Sequence, residues 1–99
     1  MRIISRKTLV AFYEQPPYRD AKEMLEAWWY EANHADWKTP ADIKDKYGKA
    51  SFLANNHVVF NICGNKYRLI VMFNYQVGIG LIRFIGTHQQ YDQVDAEAI

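Results

Sequence analysis

The segment from His57 to Phe73 constrains the fold most, because it predicts a β-hairpin whose two faces differ in chemistry. Two stretches rich in β-branched and aromatic residues flank Gly64-Asn65, a dipeptide suited to a two-residue turn with positive φ. A turn at these two residues fixes the pairing of the strands. The predicted cross-strand partners are Cys63 with Lys66, Ile62 with Tyr67, Asn61 with Arg68, and Phe60 with Leu69.

The two faces of the hairpin follow from this pairing, since side chains alternate along a strand. One face is apolar and aromatic, and we expect it to be core; it carries Val58, Phe60, Ile62, Tyr67, Leu69, Val71 and Phe73. The other, called the second face below, carries Asn61, Lys66 and Arg68 among the apolar residues Val59, Cys63, Ile70 and Met72. We interpret this polar and basic cluster as a partly sheltered anion site.

Length and charge limit the class of protein. Ninety-nine residues, 49% hydrophobic and 15% aromatic, indicate one folded domain over residues 1–99 with a modest core. A net charge of +1 argues against a general nucleic-acid coat protein. The charge is uneven, however, because the stretch from Ala50 to Tyr91 has three cations and two histidines but no carboxylate. Local charge therefore matters more than the total.

The single cysteine and the N-terminus indicate the compartment. Cys63 cannot form an internal disulfide, which fits a reducing cytosol and suggests neither metal nor redox chemistry. The N-terminal residues contain no apolar signal region, and no run approaches the ~18 apolar residues of a membrane span. We expect a soluble, cytoplasmic protein with no membrane partner.

The rest of the chain predicts helices first and strands afterwards. The expected elements are a strand at Arg2-Ile3-Ile4, a helix capped by Ser5 and reaching Tyr13, a break at Pro16-Pro17, a helix from about Arg19 to Ala32, a helix starting at Thr39-Pro40 and ending near Tyr47-Gly48, the hairpin, and a strand from Ile79 to Gly86. The order β-α-α-α-β-β-β with a short C-terminal extension predicts an α+β domain, in which N-terminal helices pack on a small antiparallel sheet.

Two further expectations concern side chains outside the hairpin. The last strand is expected to place Ile79, Leu81, Arg83 and Ile85 on one face, followed by a turn or short helical end up to Asp92. The aromatic residues of the second helix and beyond, which are Trp28, Trp29, Tyr30 and Trp37, are expected to pack in the core.

Two segments of the chain resemble the signature of the HigB family of toxins, which belongs to the wider RelE-like superfamily of bacterial toxin–antitoxin systems. They are Phe60-Asn61-Ile62-x-Gly64-Asn65-Lys66-Tyr67-Arg68-Leu69, and Arg83 followed by Thr87-His88-x-x-Tyr91-Asp92. The N-terminal half agrees through Leu9-x-x-Phe12-Tyr13, Ala27-Trp28, Ala35-Asp36-Trp37 and the helix start at Pro40. The resemblance thus spans nearly the whole chain.

The resemblance implies a RelE-like fold and an mRNA interferase. Such a toxin cleaves mRNA, typically in the ribosomal decoding site, and thereby inhibits translation. The implied partners are mRNA, the ribosome and a HigA-type antitoxin with a helix-turn-helix domain that neutralises the toxin. No cofactor and no metal are implied.

Metal-free RNA cleavage uses the ribose 2′-hydroxyl as nucleophile. It requires groups that exchange protons and cations that stabilise the phosphoryl oxygens. Arg68 and Arg83 can offer bidentate donors to a phosphate, and Lys66 a point charge. Histidine exchanges protons near neutral pH, and the resemblance makes His88 the principal catalytic candidate.

The remaining candidates have weaker support. Tyr91 could stack on a base or donate a hydrogen bond, Asn61 could orient Arg68, and His57 is a second acid–base candidate that could contact RNA. Each candidate has a structural alternative: Arg83 could be paired within the fold, Lys66 could serve solubility, Tyr91 could cover the core, and His57 could merely begin a strand. For the site to form, His88 and Tyr91 must lie on the same side of the sheet as Arg68.

Two other functions stay open on sequence grounds. The same basic face could serve a non-catalytic RNA- or protein-binding module. A small-ligand domain could instead use the region of Trp28, Trp29 and Trp37 as a pocket, although no cofactor motif supports it.

Overall fold

The computed structural model describes residues 1–99. Its elements are strand β1 (Arg2–Ile4), helix α1 (Arg6–Tyr13), a 3-10 helix (Pro16–Ala21), helices α2 (Lys22–His34) and α3 (Pro40–Lys46), strands β2 (Ser51–Phe52), β3 (His57–Ile62), β4 (Tyr67–Asn74) and β5 (Ile79–Thr87), and helix α4 (His88–Tyr91). The predicted α+β class, with helices before strands, is confirmed. Strand β2 was not predicted, and α2 begins later than expected because the proline pair starts a 3-10 helix instead of a simple break.

The five strands form one sheet in the order β1-β5-β4-β3-β2. Strands β2 to β5 are antiparallel neighbours, but β1 lies parallel to β5. The sheet is therefore mixed, which corrects the purely antiparallel expectation. The parallel pair arises because the helical segment carries the chain from β1 at one edge to β2 at the other.

The register of the hairpin between β3 and β4 is as predicted. Ile62 pairs with Tyr67, Asn61 with Arg68, and Phe60 with Leu69. The turn itself differs, because the left-handed φ angles fall on Cys63 (54°) and Gly64 (67°) and not on Gly64 and Asn65. The backbone N–H of Lys66 donates to the carbonyl of Cys63 at 3.2 Å, which closes the turn.

The predicted core face is confirmed, since all seven of its hairpin residues belong to the main buried cluster. The helices cover this face, and Trp28 packs edge-on against Phe60 with ring centroids 5.3 Å apart. Trp37 is buried against Phe73. Tyr30, in contrast, is 64% exposed, because it lies on the solvent side of α2; its expected place in the core is wrong.

A β-bulge between β4 and β5 changes the faces of the last strand. Ile70 pairs with Phe84 and Val71 with Ile82, which leaves Arg83 as the extra residue. Because a bulge shifts the alternation by one residue, Leu81 is opposite Met72 on the second face, whereas Ile85 is opposite Leu69 on the core face. The expectation that Ile79, Leu81, Arg83 and Ile85 share one face is therefore wrong.

The N-termini of α1 and α3 differ in how well they match the capping residues predicted from the sequence. Helix α3 begins with the predicted cap, because Thr39 Oγ1 accepts from the N–H of Asp42 at 3.4 Å and the Asp42 carboxylate accepts from the N–H of Thr39 at 3.1 Å. Ser5 precedes α1 but makes no side-chain capping bond. None of the helices has both the length and the apolar character needed to cross a membrane.

Candidate functional site

Helix α4 lies at the end of the sheet that carries the β3–β4 hairpin turn. Hydrogen bonds of its first residues hold it there. Thr87 Oγ1 accepts from the N–H of Gln90 at 3.1 Å, and Gln90 Oε1 accepts from the N–H of Thr87 at 2.8 Å. The N–H of His88 donates to the carbonyl of Lys66 at 3.2 Å. The C-terminal segment is thus tied directly to the hairpin turn, as a short helical end.

A glycine makes this close approach possible. Gly86 is the cross-strand partner of Arg68. A Cβ atom at this position would lie 2.6 Å from the Phe84 ring and 2.7 Å from Gln90 Oε1, both too short for real contacts. Phe84 and Gln90 can therefore fold over β5 only because residue 86 has no side chain.

Arg68 is the central residue of the site. Its side chain is buried, with the residue only 8% exposed, and none of the ion pairs in the protein involves it. Nη1 donates to the carbonyls of Asn65 at 3.0 Å and Tyr67 at 3.3 Å, and Nη2 donates to Asn65 Oδ1. A guanidinium has five N–H donors, so two remain, including Nε–H. A buried cation without a carboxylate is costly, and here it offers free donors to an anion.

Tyr91 lies on the same side of the sheet as Arg68. Its ring centroid is 5.9 Å from the Arg68 guanidinium carbon, within the range of a cation–π contact. The expectation that Tyr91 lies on the same side of the sheet as Arg68 is confirmed. The ring also limits the directions from which a ligand can reach the guanidinium.

His88 and Asp92 form a pair one helical turn apart at the same end of the sheet. His88 Nε2 lies 3.7 Å from Asp92 Oδ2, and both side chains are about half exposed. This distance is too long for a hydrogen bond, so Asp92 places a carboxylate beside the imidazole without holding it in one orientation. The sequence motif contains Asp92, but its role beside His88 was not predicted. Its signal is the i, i+4 spacing on a helix, which places two side chains on one face.

Lys66 does not join Arg68. Its Nζ donates to Asp20 on the 3-10 helix, and the Tyr67 hydroxyl donates to the same carboxylate at 2.5 Å. These hydrogen bonds, the one from Lys66 foremost, lower the pKa of Asp20. Because Asp20 comes from the helical layer, it draws Lys66 away from the second face, and the expected cluster of Asn61, Lys66 and Arg68 does not form.

Asn61 does not orient Arg68 either. It is exposed and makes no side-chain hydrogen bond within the protein. The orienting residue is Asn65, which holds the guanidinium through both its backbone carbonyl and its side-chain oxygen. The sequence pattern predicts only a turn position for Asn65. Its position three residues before Arg68, across a tight turn, is the signal that points to this contact.

His57 and Arg83 form a second, separate group on the same face. His57 is buried, with Nδ1 2.9 Å from the carbonyl of Asn55 and Nε2 3.0 Å from that of Ile99. Arg83 Nε donates to the same Ile99 carbonyl at 3.3 Å. His57 is paired with a residue four positions along β4 from Arg68, a separation of about 13 Å. Of the seven candidates, Arg68, His88 and Tyr91 lie at the turn end of the sheet, and His57 and Arg83 lie at the Ile99 carbonyl. Lys66 is bound to Asp20, and Asn61 is exposed without a side-chain partner.

The ligand chemistry of the main group is that of an anion site. It presents a buried guanidinium with free donors, an aromatic ring and a partly exposed imidazole. Nowhere in the structure do three or more His, Cys, Asp or Glu side chains gather as metal ligands would. Arginine donors in this arrangement suit the oxygens of a phosphate.

Comparison with known proteins identifies one family. The family model HigB_toxin, described as the RelE-like toxic component of a toxin-antitoxin system, matches residues 21–94. The matched range runs from the end of the 3-10 helix through α4 and includes Arg68, His88 and Tyr91. No curated protein matches the chain.

Proposed function

Because the chain belongs to the HigB toxin family, whose members are RelE-like toxic components of toxin–antitoxin systems, we propose that it arrests translation as a metal-independent endoribonuclease acting on mRNA. The chain is the toxin of such a system, and an antitoxin is its partner. We further propose that cleavage occurs on the ribosome in the cytoplasm, and that the antitoxin is of the HigA type with a helix-turn-helix domain.

One observation carries the proposal of ribonuclease activity. Arg68 is buried without a carboxylate partner, is held rigidly by Asn65, and keeps donors free beside Tyr91. A structural arginine in this position would be expected to have an acidic partner. A pre-oriented guanidinium is instead suited to the charge that develops on phosphoryl oxygens in the transition state.

The chemistry assigned to these residues is as follows. The ribose 2′-hydroxyl attacks the adjacent phosphorus, and the bond from phosphorus to the 5′-oxygen breaks, which gives a cyclic phosphate and a free 5′-hydroxyl. Arg68 donates to the non-bridging oxygens. His88, which has the Asp92 carboxylate 3.7 Å away, exchanges protons with the reacting oxygens, and Tyr91 stacks against the Arg68 guanidinium or a neighbouring base.

Two of the other candidates are assigned to RNA binding outside the reacting phosphate. Arg83 is exposed on β5, three residues before Gly86, the cross-strand partner of Arg68, and would contact the RNA backbone there. Arg83 is thereby moved from the catalytic group to which the sequence assigned it. His57, about 13 Å along the strands from Arg68, is buried with its ring nitrogens against the carbonyls of Asn55 and Ile99 and is assigned a structural role. Asn61 is exposed at the outer edge of β3 and would contact the RNA strand next to the cleaved bond. Lys66 is held by Asp20 on the other side of the turn and is not assigned a contact with that bond.

The test is expression of the toxin alone in bacteria, with translation rate and the 5′ ends of cellular mRNA measured after induction. The parent should stop translation and produce new 5′ ends. Arg68→Ala should reduce cleavage about a hundredfold or more, because a pre-organised donor to the developing charge is lost. Arg6→Ala is the matched control, since Arg6 is an exposed arginine on α1 without a side-chain hydrogen bond or ion pair.

The same experiment separates the second candidate function. A non-catalytic module would leave transcripts intact while the purified protein binds RNA with a strong salt dependence. Arg68→Ala protein that stops translation as the parent does would contradict the assignment of the site.

A further inference from the structure

A groove of about 620 Å³ runs along the outer edge of β3, between the Tyr47–Ala50 loop and the hairpin turn. It exists because β2 pairs only with Val58 and Val59, so β3 has no outer neighbour from Phe60 onward. Asn65 lines the groove and also holds Arg68. The groove therefore lies next to the proposed phosphate site.

The backbone of Asn61 points into this groove. The carbonyl of Asn56 accepts from the N–H of Phe73 on the β4 side at 3.0 Å, whereas the carbonyl of His57 accepts from the N–H of Leu53 on the outer side at 2.8 Å. Hydrogen-bonding direction alternates along a strand, so Asn61, four residues after His57, directs its N–H and C=O outward. Beyond the end of β2, these two groups meet no strand.

The side chains around Asn61 add polar groups but no negative charge. Asn65 uses its oxygen on Arg68, which leaves its amide N–H groups without a protein partner. Lys49 supplies a cation outside any ion pair. The Tyr47 hydroxyl donates to Glu31 at 3.1 Å, which fixes the ring as part of the wall.

We propose that this groove is a nucleobase subsite of the RNA substrate. The base next to the phosphate at Arg68 enters the groove. Its edge pairs with the N–H, C=O and amide of Asn61, while Lys49 contacts the adjoining phosphate. Unstacked bases of single-stranded RNA are read by hydrogen bonds to their edges in this way. This inference rests on the proposed ribonuclease function, and it adds that the groove determines which base is preferred beside the cleaved bond.

An added peptide strand fits the edge less well than a base. Strand addition gains its affinity from a row of main-chain hydrogen bonds. Here β2 ends opposite Val59 and the turn begins at Cys63, so only Asn61 offers an outward donor and acceptor. One such pair matches one base edge.

Gly48→Val is the sharpest variant for the test. A Cβ atom at Gly48 would meet no atom within 4 Å, and the φ angle of Gly48 lies outside the left-handed region. A side chain at this position therefore begins in open space at the wall of the groove, and valine is expected to narrow the groove. Asn61→Ala removes the side-chain amide that is proposed to hydrogen-bond the base. Lys7→Ala is the control, because Lys7 is exposed on α1 and far in sequence from the site.

The measurement is the distribution of bases around the 5′ ends produced after induction. Gly48→Val and Asn61→Ala should each weaken the preference at one position beside the cut roughly tenfold, as expected for a lost base contact. Lys7→Ala should retain the parent distribution. If both groove variants keep the parent distribution, the subsite is overturned while the ribonuclease stands. If the parent produces no new 5′ ends, the proposed function fails and the subsite with it.

A second measurement needs no cleavage. Arg68→Ala protein bound to single-stranded RNA containing 4-thiouridine should cross-link at Tyr47 or Asn61. Cross-links confined to other surfaces would overturn the subsite. Protection of the Asn61 N–H from hydrogen exchange by the antitoxin, and not by RNA, would show that a peptide occupies the edge and would overturn it as well.

Discussion

The two faces of the sheet are built from the same strands but obey different rules. Leu69 and Arg68 are neighbours in β4, and both are buried. Leu69 points into the core beneath the helices, where any side chain of the right size and hydrophobicity would fit. Arg68 points to the opposite side, where three specific hydrogen bonds and an aromatic ring hold a charge. Burial of Leu69 stabilises the fold, whereas burial of Arg68 holds a cation in a fixed position that suits an anion.

The first prediction tests this difference between the two faces by substituting these two adjacent residues, and it has the largest expected effect. Leu69→Ala should reduce the free energy of unfolding by about 2–5 kcal/mol, since it opens a cavity in a packed core. Arg68→Met should change the free energy of unfolding little or increase it, because a hydrophobic side chain replaces a buried charge. Urea denaturation of the purified proteins measures both.

The control for this pair is Val77→Ala, at a position that is 63% exposed in the turn before β5, and it should leave the urea midpoint unchanged. A large loss of stability in Arg68→Met would show that Arg68 is a structural residue. The functional contrast between the two faces would then disappear.

The second prediction concerns the glycine that allows α4 to close over the second face. Gly86→Ala should destabilise the protein by about 1–3 kcal/mol, as overpacking does, because its Cβ meets the Phe84 ring and Gln90. Displacement of Gln90 should also move Tyr91 from Arg68 and reduce toxicity. The urea midpoint and translation arrest are measured together.

Gly48→Ala is the matched control, since its added Cβ points into open space. Its urea midpoint should not fall. If Gly86→Ala were as stable and as toxic as the parent, the approach of α4 to β5 would not depend on the missing side chain.

The sequence is sufficient to predict the core face, because alternation and turn position are local properties. The pairing of Asn61 with Arg68, and of Phe60 with Leu69, follows from where the turn lies. The placement of Tyr91 on the same side of the sheet as Arg68 is also predicted, although this depends on the family resemblance and not on spacing.

Other features depend on contacts distant in sequence and could not be predicted. The bulge at Arg83 lies in a strand that has no proline or glycine next to that position to mark it. Lys66 has a partner, Asp20, 46 residues away in the 3-10 helix, and nothing in the hairpin sequence indicates that choice. The carbonyl of Ile99 lies between His57 and Arg83, although the tail carries no pattern that directs it there. In each case a side chain or strand could have paired with several partners, and the partner it has depends on which distant segments the fold brings next to it.

The last prediction has the smallest expected effect. It concerns the Asp20 carboxylate, which holds Lys66 on the core side of the turn. The hydrogen bonds from Lys66 and Tyr67 lower the pKa of Asp20. A carboxyl group with a lowered pKa in the folded state stabilises the fold above its ordinary pKa of about 4, and this contribution is lost as the pH falls through the lowered value. Asp20→Asn should therefore be less stable than the parent at neutral pH, and the difference should narrow toward about pH 3.

Urea midpoints of both proteins between neutral and acid pH measure this change. Asp36→Asn is the control, because Asp36 pairs with Lys38 on the open surface at 3.1 Å, with both side chains mostly exposed, and such pairs contribute little. A difference between Asp20→Asn and the parent that stays constant with pH would mean that the carboxylate charge does not hold the turn. Lys66 would then be free to turn toward Arg68, and the site would gain the second cation that the sequence predicted.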